Sequence, residues 1–452
     1  MRSIILAASA FVLAASDQAQ TVPSAKEILV HSVSIPTVQG RGKVPELAAY
    51  YAGVLKAAGY AEADLKFTPI GETGYFTATL RGRSSEHPAI LLGHMDVVEA
   101  KASDWTRDPF MPVEENGYLF GRGAEDNKYD VAMMVATMAR LKQEGFRPKQ
   151  DIVLLLTGDE ETDMATTNAA AEAYRHAGLV LNGDAGGAML DDGGQAEAVF
   201  LQAGEKSYAD FTITMTDPGG HSSAPTATNP IYRMARALGR LDVYHFPPMQ
   251  NELTRAVFEA RIPEETGAIK AAMQAFLANP DDLAAADALS ARPELVGQVR
   301  TTCIATMIDG GHALNALPQS VSANINCRIF PGVTVSQVKD ALVRVLAEPD
   351  MTFTVVGDPR AADASPLRPD VVRAVREAAG RRFPGVPVVP VMSAGATDSL
   401  YFRALGVPSY GVASLAMRGE DSFAHGLNER VPTAGIDAAL AYWHDLVTTL
   451  MR

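Results

Sequence analysis

The spacing of apolar and polar positions in the first part of the chain predicts an α/β sheet. From about Ser24 to Phe200, continuous apolar runs alternate with segments whose apolar residues recur at helical spacing. The runs AILLGH (89–94) and IVLLLTGDEE (152–161) are short and end in polar residues, as is typical of central strands covered by helices on both faces. Between them, residues 131–141 predict a helix. Ligands bind such sheets beyond the carboxyl ends of the strands, which is where the polar residues lie.

The pattern changes after Gly204 and predicts a second unit. Alternating apolar positions and a Gly- and Pro-rich loop replace the continuous runs, and residues 250–298 are Ala-rich and helical. Strands are predicted at 208–217, 301–311, 320–330 and 351–356, with a helix at 335–347. The α/β pattern resumes near Pro359. We therefore predict an α/β domain of residues 21–205 and 359–452 and an α+β domain of residues 206–358 inserted into it.

The first twenty residues differ from the rest. Arg2 precedes an apolar run from Ile4 to Ala15, and small and polar residues follow. This arrangement predicts a cleavable signal peptide over 1–20, because twelve apolar residues are too few to span a bilayer as a helix. A buried N-terminal helix is the alternative. We expect a mature protein that is secreted or periplasmic, with no membrane anchor.

Charge excludes one class of partner. The 452 residues include 53 Asp and Glu against 39 Lys and Arg, which gives a net charge of −14. No basic run or stripe offsets this charge, so a nucleic-acid partner is not expected.

The two cysteines, Cys303 and Cys327, are too few for a disulfide framework. They lie symmetrically about Asn315, in the connection between two predicted strands, so an antiparallel pairing puts them opposite each other. A disulfide and two buried thiols both remain open.

Five polar islands carry the candidate chemistry. They are GHMD (93–96), GRGAEDNK (121–128), GDEE (158–161), NGDAGG (182–187) and FAHGLNE (423–429), of which the first four are predicted to terminate core strands. Imidazoles and carboxylates without thiolates suit Zn²⁺, Co²⁺ or Mn²⁺ in a hydrolytic site. The excess of carboxylates favours two ions, because several anions in one cleft repel one another unless cations neutralise them.

Local spacing suggests a division of roles. His94 and Asp96 are two residues apart and point the same way on a strand, so one can bind metal while the other orients it. Glu160 and Glu161 are adjacent, and a turn after the strand can bring both into one cleft. One of the two would then bind metal while the other accepts a proton from the attacking water.

Jointly, the motifs resemble a known family. GHMDVV, GRGAEDNK, TGDEET, GGHSSAP, GGHALNALP and AHGLNE are similar to motifs of the co-catalytic zinc amidohydrolases and exopeptidases, which include aminoacylase, glutamate carboxypeptidase, succinyl-diaminopimelate desuccinylase and carnosine dipeptidases. The resemblance implies a catalytic domain with a mostly parallel sheet flanked by helices, and an inserted lid domain that often dimerises. A homodimer through the lid is left open.

The resemblance also implies roles for individual residues. His94 and Asp184 would hold one zinc ion, Glu161 and His425 the other, and Asp126 would bridge them. Glu160 would be the general base, and Asp96 would orient His94. In the lid, His221 would stabilise the oxyanion, often in the partner subunit's site. Asn315 and Arg328 would hold the substrate, with Arg328 gripping a free carboxylate.

Three functions follow as hypotheses. The first is a secreted hydrolase that cleaves the amide bond of a small peptide or N-acyl amino acid with a free carboxylate. The second is an aminopeptidase, which needs a pocket for a free amine. The third is a non-enzymatic metal- or peptide-binding protein on the same scaffold. The substrate side chain and the physiological metal are left open.

Overall fold

The computed structural model of the protein describes residues 21–452, and the predicted signal peptide lies outside the described residues. The strands are β1 (Leu65–Ile70), β2 (Thr73–Leu80), β3 (Ala89–His94), β4 (Val113–Glu115), β5 (Tyr118–Phe120), β6 (Ile152–Thr157), β7 (Leu179–Leu190), β8 (Ala196–Glu205), β9 (Ser207–Thr216), β10 (Gly220–His221), β11 (Thr302–Gly310), β12 (Ala316–Leu317), β13 (Ser320–Ile329), β14 (Thr352–Val356), β15 (Val388–Ser393), β16 (Ser409–Arg418) and β17 (Arg430–Pro432).

The helices cover the sheets and form one further cluster. They are α1 (Ala25–Val33), α2 (Val44–Ala57), α3 (Tyr129–Gln143), α4 (Ala165–Ala173), α5 (Pro230–Asp242), α6 (Glu252–Arg261), α7 (Gly267–Ala278), α8 (Leu283–Ser290), α9 (Pro293–Val299), α10 (Val335–Leu346), α11 (Pro369–Arg382), α12 (Ser399–Ala404) and α13 (Ile436–Met451). Across residues 21–452, none of them has the length and apolar character that crossing a bilayer requires.

An eight-stranded sheet forms the main body, in the order β1-β2-β6-β3-β7-β16-β8-β15. Its central strands β6, β3, β7 and β16 are mutually parallel, and β2 and β8 run antiparallel to their neighbours in this group. Every residue of β3 and β6 is buried, because both faces of the sheet are covered. The predicted α/β fold with a mostly parallel sheet flanked by helices is confirmed.

The second sheet is antiparallel and has the order β11-β13-β9-β14. Its inner face packs on α5 and α10 around a separate apolar core. The chain passes from the large sheet to the small one at Lys206, between β8 and β9. The helices α6 to α9 surround a core of their own. Leu253 of α6 belongs to the core of the large sheet, so these helices also contact the main body.

One prediction about strand ends is wrong. NGDAGG (182–187) does not terminate a strand, because β7 continues through it to Leu190 and turns back as β8 in an antiparallel hairpin. Gly186 and Gly187 have φ values of +96° and +88°, which L side chains rarely adopt, and the pairing of β7 with β16 shifts register here. The glycines therefore let the strand bend without ending.

Cys303 and Cys327 are directly opposed on β11 and β13, which confirms the predicted pairing. They form a disulfide, with a Cα–Cα distance of 4.1 Å and a sequence separation of 24 residues. The bond joins the outermost strand β11 to the rest of the small sheet.

We predict that loss of this disulfide destabilises the small sheet. Closing a loop of this size reduces the entropy of the unfolded chain by an amount worth about 3 kcal/mol. Calorimetry should show a lower unfolding midpoint for wild-type protein in reductant and for the Cys303→Ser/Cys327→Ser variant. The variant itself should not respond to reductant, and an unchanged wild-type midpoint would contradict the prediction.

Candidate metal centre

Residues far apart in the sequence meet at the carboxyl ends of the central strands. His94 is the last residue of β3, and Glu161 lies in the turn between β6 and α4. Asp184 lies within β7, Asp126 in the short turn before α3, and His425 in the loop between β16 and β17. The structure thus brings together all five of the residues that the resemblance implies as metal ligands.

The first half of the centre surrounds His94. Its Nε2 atom lies 2.9 Å from Asp126 Oδ1 and 3.5 Å from Asp184 Oδ1. Its Nδ1 atom donates to the backbone oxygen of Asp96 at 3.1 Å. With the proton on Nδ1, the Nε2 atom faces the carboxylates as a free ligand.

The second half surrounds His425. Its Nε2 atom lies 3.2 Å from Asp126 Oδ2 and 2.8 Å from Glu161 Oε1. Asp126 therefore offers one carboxylate oxygen to each histidine. Ligand atoms of His94, Asp126 and Glu161 all lie within 4.8 Å of one another.

This donor set fits two divalent cations. Asp126, Asp184, Glu160 and Glu161 lie close together, and the two imidazoles pair with three of them, Asp126, Asp184 and Glu161. Burial and, secondly, the neighbouring Asp126 charge raise the pKa of Asp184 to about 8. The side chains alone therefore do not stabilise this much negative charge, and two cations would. The imidazole nitrogens and carboxylate oxygens are the ligands expected for Zn²⁺, Co²⁺ or Mn²⁺.

Asp96 connects the two predicted functional pairs. Its Oδ1 atom lies 3.5 Å from His94 Nδ1 and accepts the backbone N–H of Glu160 at 3.1 Å. Its Oδ2 atom accepts the backbone N–H of Glu161 at 3.0 Å. One buried carboxylate thus fixes the His94 ring and the turn that carries both glutamates.

Glu160 lies beside the metal-ligand cluster and is largely buried. Burial raises the pKa of its carboxyl group well above the usual range; His94 opposes this shift, while Asp184, Asp398 and Glu161 add to it. A carboxyl group in this setting is suited to proton transfer.

Sequence reasoning assigned no role to two further acids at the centre. Asp398, at the start of α12, accepts the hydroxyl of Thr157 at 2.5 Å and that of Thr167, and burial raises its pKa to about 7. It lies within the Gly-containing segment SAGATDSLYF (393–402), whose polar residues directly after a strand were the available signal.

The second of these acids is Glu429, the last residue of the AHGLNE motif. Its carboxylate accepts the backbone N–H groups of Glu125 and Asp126 at 2.8 and 3.1 Å and pairs with Arg122 at 2.5 Å. Burial raises its pKa to about 7. Glu429 therefore holds the turn that presents Asp126, in which the Asp126–Asn127 peptide bond is cis.

The three lid residues lie apart from this cluster. His221 forms part of β10 and is exposed, and Ser222 donates its backbone N–H to the backbone oxygen of Asn315 at 3.0 Å. Arg328 lies on β13, where its guanidinium stacks on the Tyr208 ring at 4.7 Å. Within residues 21–452, no hydrogen bond or ion pair links these lid side chains to the metal ligands.

Comparison with known proteins identifies the family. The sequence profile of peptidase family M20/M25/M40 matches residues 90–449. The human N-fatty-acyl-amino acid synthase/hydrolase PM20D1 is 26% identical over 384 residues, which cover 82% of this chain and 75% of the human protein. The succinyl-diaminopimelate desuccinylase of Maricaulis maris (strain MCS10) is 34% identical over 215 residues, or 46% of this chain and 54% of that enzyme.

A solved structure shows the same fold. The M20 family metallo-carboxypeptidase Sso-CP2 from Sulfolobus solfataricus aligns with a TM-score of 0.70 at 19% identity, and the alignment covers 95% of this chain and 99% of that one. Because the family profile spans well over half of the sequence, the chain belongs to peptidase family M20/M25/M40, a family of metallopeptidases and amidohydrolases.

Proposed function

We propose that this protein is a two-metal hydrolase that cleaves the amide bond of an N-acyl amino acid or small peptide carrying a free carboxylate. The observation that carries the proposal is the position of Asp126, whose two oxygens each face a different histidine. The names of the relatives, an N-fatty-acyl-amino acid hydrolase and a desuccinylase, support the amide substrate.

The ligand sets divide into two. His94 and Asp184 would hold one cation, His425 and Glu161 the other, and Asp126 both. Zn²⁺ is the favoured ion, with Co²⁺ or Mn²⁺ also compatible with these donors. Two such cations supply Lewis acidity, which polarises the scissile carbonyl and acidifies the attacking water.

Glu160 is proposed as the general base. Its carboxylate accepts a proton from the attacking water and delivers it to the departing amine. Asp96 positions this group by holding the Glu160 backbone N–H, and the same carboxylate orients His94.

His221 is proposed to stabilise the oxyanion in the site of a second subunit. Its Nδ1 atom accepts the backbone N–H of Ser223 at 3.2 Å, so a neutral ring carries its proton on Nε2 as a donor. The absence of contacts between this side chain and the metal ligands of its own chain favours action across a dimer.

The small sheet offers a surface for that dimer. β11 is an edge strand and exposes Ile304, Met307 and Ile308 at 61%, 72% and 64%. Edge strands with exposed apolar side chains readily pair with another chain. We therefore propose a homodimer formed along β11.

Arg328 is proposed to bind the substrate carboxylate, with Asn315 as a further lid contact. Across residues 21–452, no carboxylate lies within ion-pair distance of Arg328, although the chain is strongly acidic. The Tyr208 ring holds the guanidinium in place, and Asp210 interacts with its charge without forming an ion pair. A carboxylate ligand would supply the missing charge.

We propose that the protein is exported, because the sequence of residues 1–20 predicts a cleavable signal peptide. The Cys303–Cys327 disulfide supports it, because disulfides persist in oxidising compartments.

The two neighbouring glutamates provide a test of the chemistry. In a screen of dipeptides and N-acyl amino acids, chelated wild-type protein should lose activity and regain it with Zn²⁺. Glu160→Gln should retain metal but lose roughly 100- to 10,000-fold in kcat, because an amide cannot accept the proton. Glu161→Gln should lose metal as well. Equal metal loss in both variants, measured by atomic absorption, would contradict the assigned roles.

Substitutions that place charged side chains on the edge strand β11 test the proposed dimer. Met307→Lys/Ile308→Lys should shift the mass measured by analytical ultracentrifugation from two chains to one and should lower activity, because His221 then has no partner site. Leu283→Lys is the matched control, since Leu283 is 62% exposed on α8, outside the small sheet. A wild-type monomer with full activity would overturn the proposal.

Arg328→Ala should lower kcat/KM for a substrate with a free carboxylate by roughly 30-fold to several thousand-fold, because a buried charge-assisted contact is lost. The amidated form of the same substrate should be barely affected. Arg344→Ala, on the exposed face of α10, serves as the control for loss of a lid cation. Equal losses on both substrates would favour the aminopeptidase alternative.

A further inference from the structure

A cavity of about 310 Å³ lies directly beside the metal centre. Two of the proposed metal ligands, Asp126 and Asp184, form one wall, and Ala424, the neighbour of His425, also lines it. The other walls are largely apolar and include Met189, Phe200, Leu415 and Met417. We call this space the side cavity.

The side cavity adjoins the reacting position. Asp126 and Asp184 line the side cavity and are also proposed to hold the cations, so a group attached to a scissile carbonyl bound there would have the cavity beside it. The volume is within the range of about 300–1,000 Å³ that is usual for small-molecule sites.

The polar groups of the side cavity already have partners. Asp130 accepts hydrogen bonds from the backbone and hydroxyl of Ser414 and from the Trp443 indole. Arg418 pairs with Asp421 at 2.8 Å. These walls therefore contain no uncompensated cation that would select an anion, in contrast to the surroundings of Arg328.

In contrast, the apolar side chains that line the side cavity are not fully buried. Met189 is 39% exposed, and Phe200, Leu415 and Met417 are only partly buried. Removing such surface from water is favourable by about 0.8 kcal/mol for each buried methylene of a ligand. The side cavity is thus suited to an unbranched apolar chain.

We propose that the side cavity binds the acyl chain of the substrate, so that the preferred substrates are N-acyl amino acids with medium-length chains such as hexanoyl or octanoyl. The inference rests on the proposed function. Hydrolysis adds one water across the amide C–N bond, which releases the fatty acid held in the side cavity and the free amino acid held at Arg328.

The test is a chain-length series on one amino acid, from N-acetyl to N-octanoyl, with kcat/KM measured for each substrate. For wild-type protein the value should rise by about 3- to 4-fold per buried methylene. If four of the added methylenes are buried, the octanoyl-to-acetyl ratio is on the order of 100.

Two substitutions at Met417 test whether the dependence of kcat/KM on chain length arises in the side cavity. Met417→Asp places a charge in the side cavity and should bring the octanoyl-to-acetyl ratio close to 1, while Met417→Trp fills the space and should move the optimum to shorter chains. Met111→Asp is the matched control, because Met111 is exposed and lies outside the cavity lining. It should leave the ratio unchanged. Thermal unfolding of each variant verifies the fold.

The outcomes separate the two proposals. Wild-type hydrolysis of N-acetyl substrates or dipeptides without any rise along the series overturns the acyl-chain proposal and leaves the proposed function standing. A rise that both Met417 variants retain also overturns it, since the chain is then bound elsewhere. Hydrolysis of no amide substrate by the metal-loaded protein overturns the proposed function and the inference together.

Discussion

The Asp126 carboxylate, held between two histidines, is the constraint on which the rest of the site depends. It can serve both only if its turn is fixed, and three buried side chains fix it. Glu429 accepts the backbone N–H groups of Glu125 and Asp126, and Arg122 holds Glu429 in turn. Lys128 anchors the end of the turn by donating to the backbone oxygens of Ser32 and Ile35. Charged side chains are buried here because each has hydrogen-bonding partners.

The residues that fix the Asp126 turn come from both the N-terminal and the C-terminal parts of the chain. Helix α1 supplies acceptors for Lys128, and the loop before β17 supplies Glu429 and His425. The strands of the small sheet lie in sequence between those of the large sheet, yet His425 and Glu429 come from after them. His425 can therefore meet Asp126 and Glu161 only when the chain that follows the small sheet has folded back against β3 and β7.

Much of the fold and most of the site could be predicted from the sequence because both rest on local patterns. The buried runs of β3 and β6 are continuous in sequence, and their last residues lie at the edge of the sheet where ligands bind. The course of β7 through Asp184 could not be predicted, because glycines that usually end a strand here permit a bend that depends on pairing with β16. The roles of Asp398 and Glu429 depend on partners hundreds of residues away, such as Thr157 and Arg122. A local pattern can mark Asp398 as a polar residue after a strand, but it does not identify these distant partners.

In the proposed function, the residues that carry out the reaction differ from those that select the substrate. Under that proposal, the cluster at the strand ends would supply the metal ligands and the base for any amide substrate. In that role its charges would bind the metals and would not recognise either end of a substrate. Recognition would then fall to groups that lie outside the cluster. These are Arg328, which forms no ion pair within residues 21–452, and the apolar side cavity, whose polar groups are already paired. Because these features lie on different elements, acyl-chain and carboxylate preferences can vary separately while the metal centre stays unchanged.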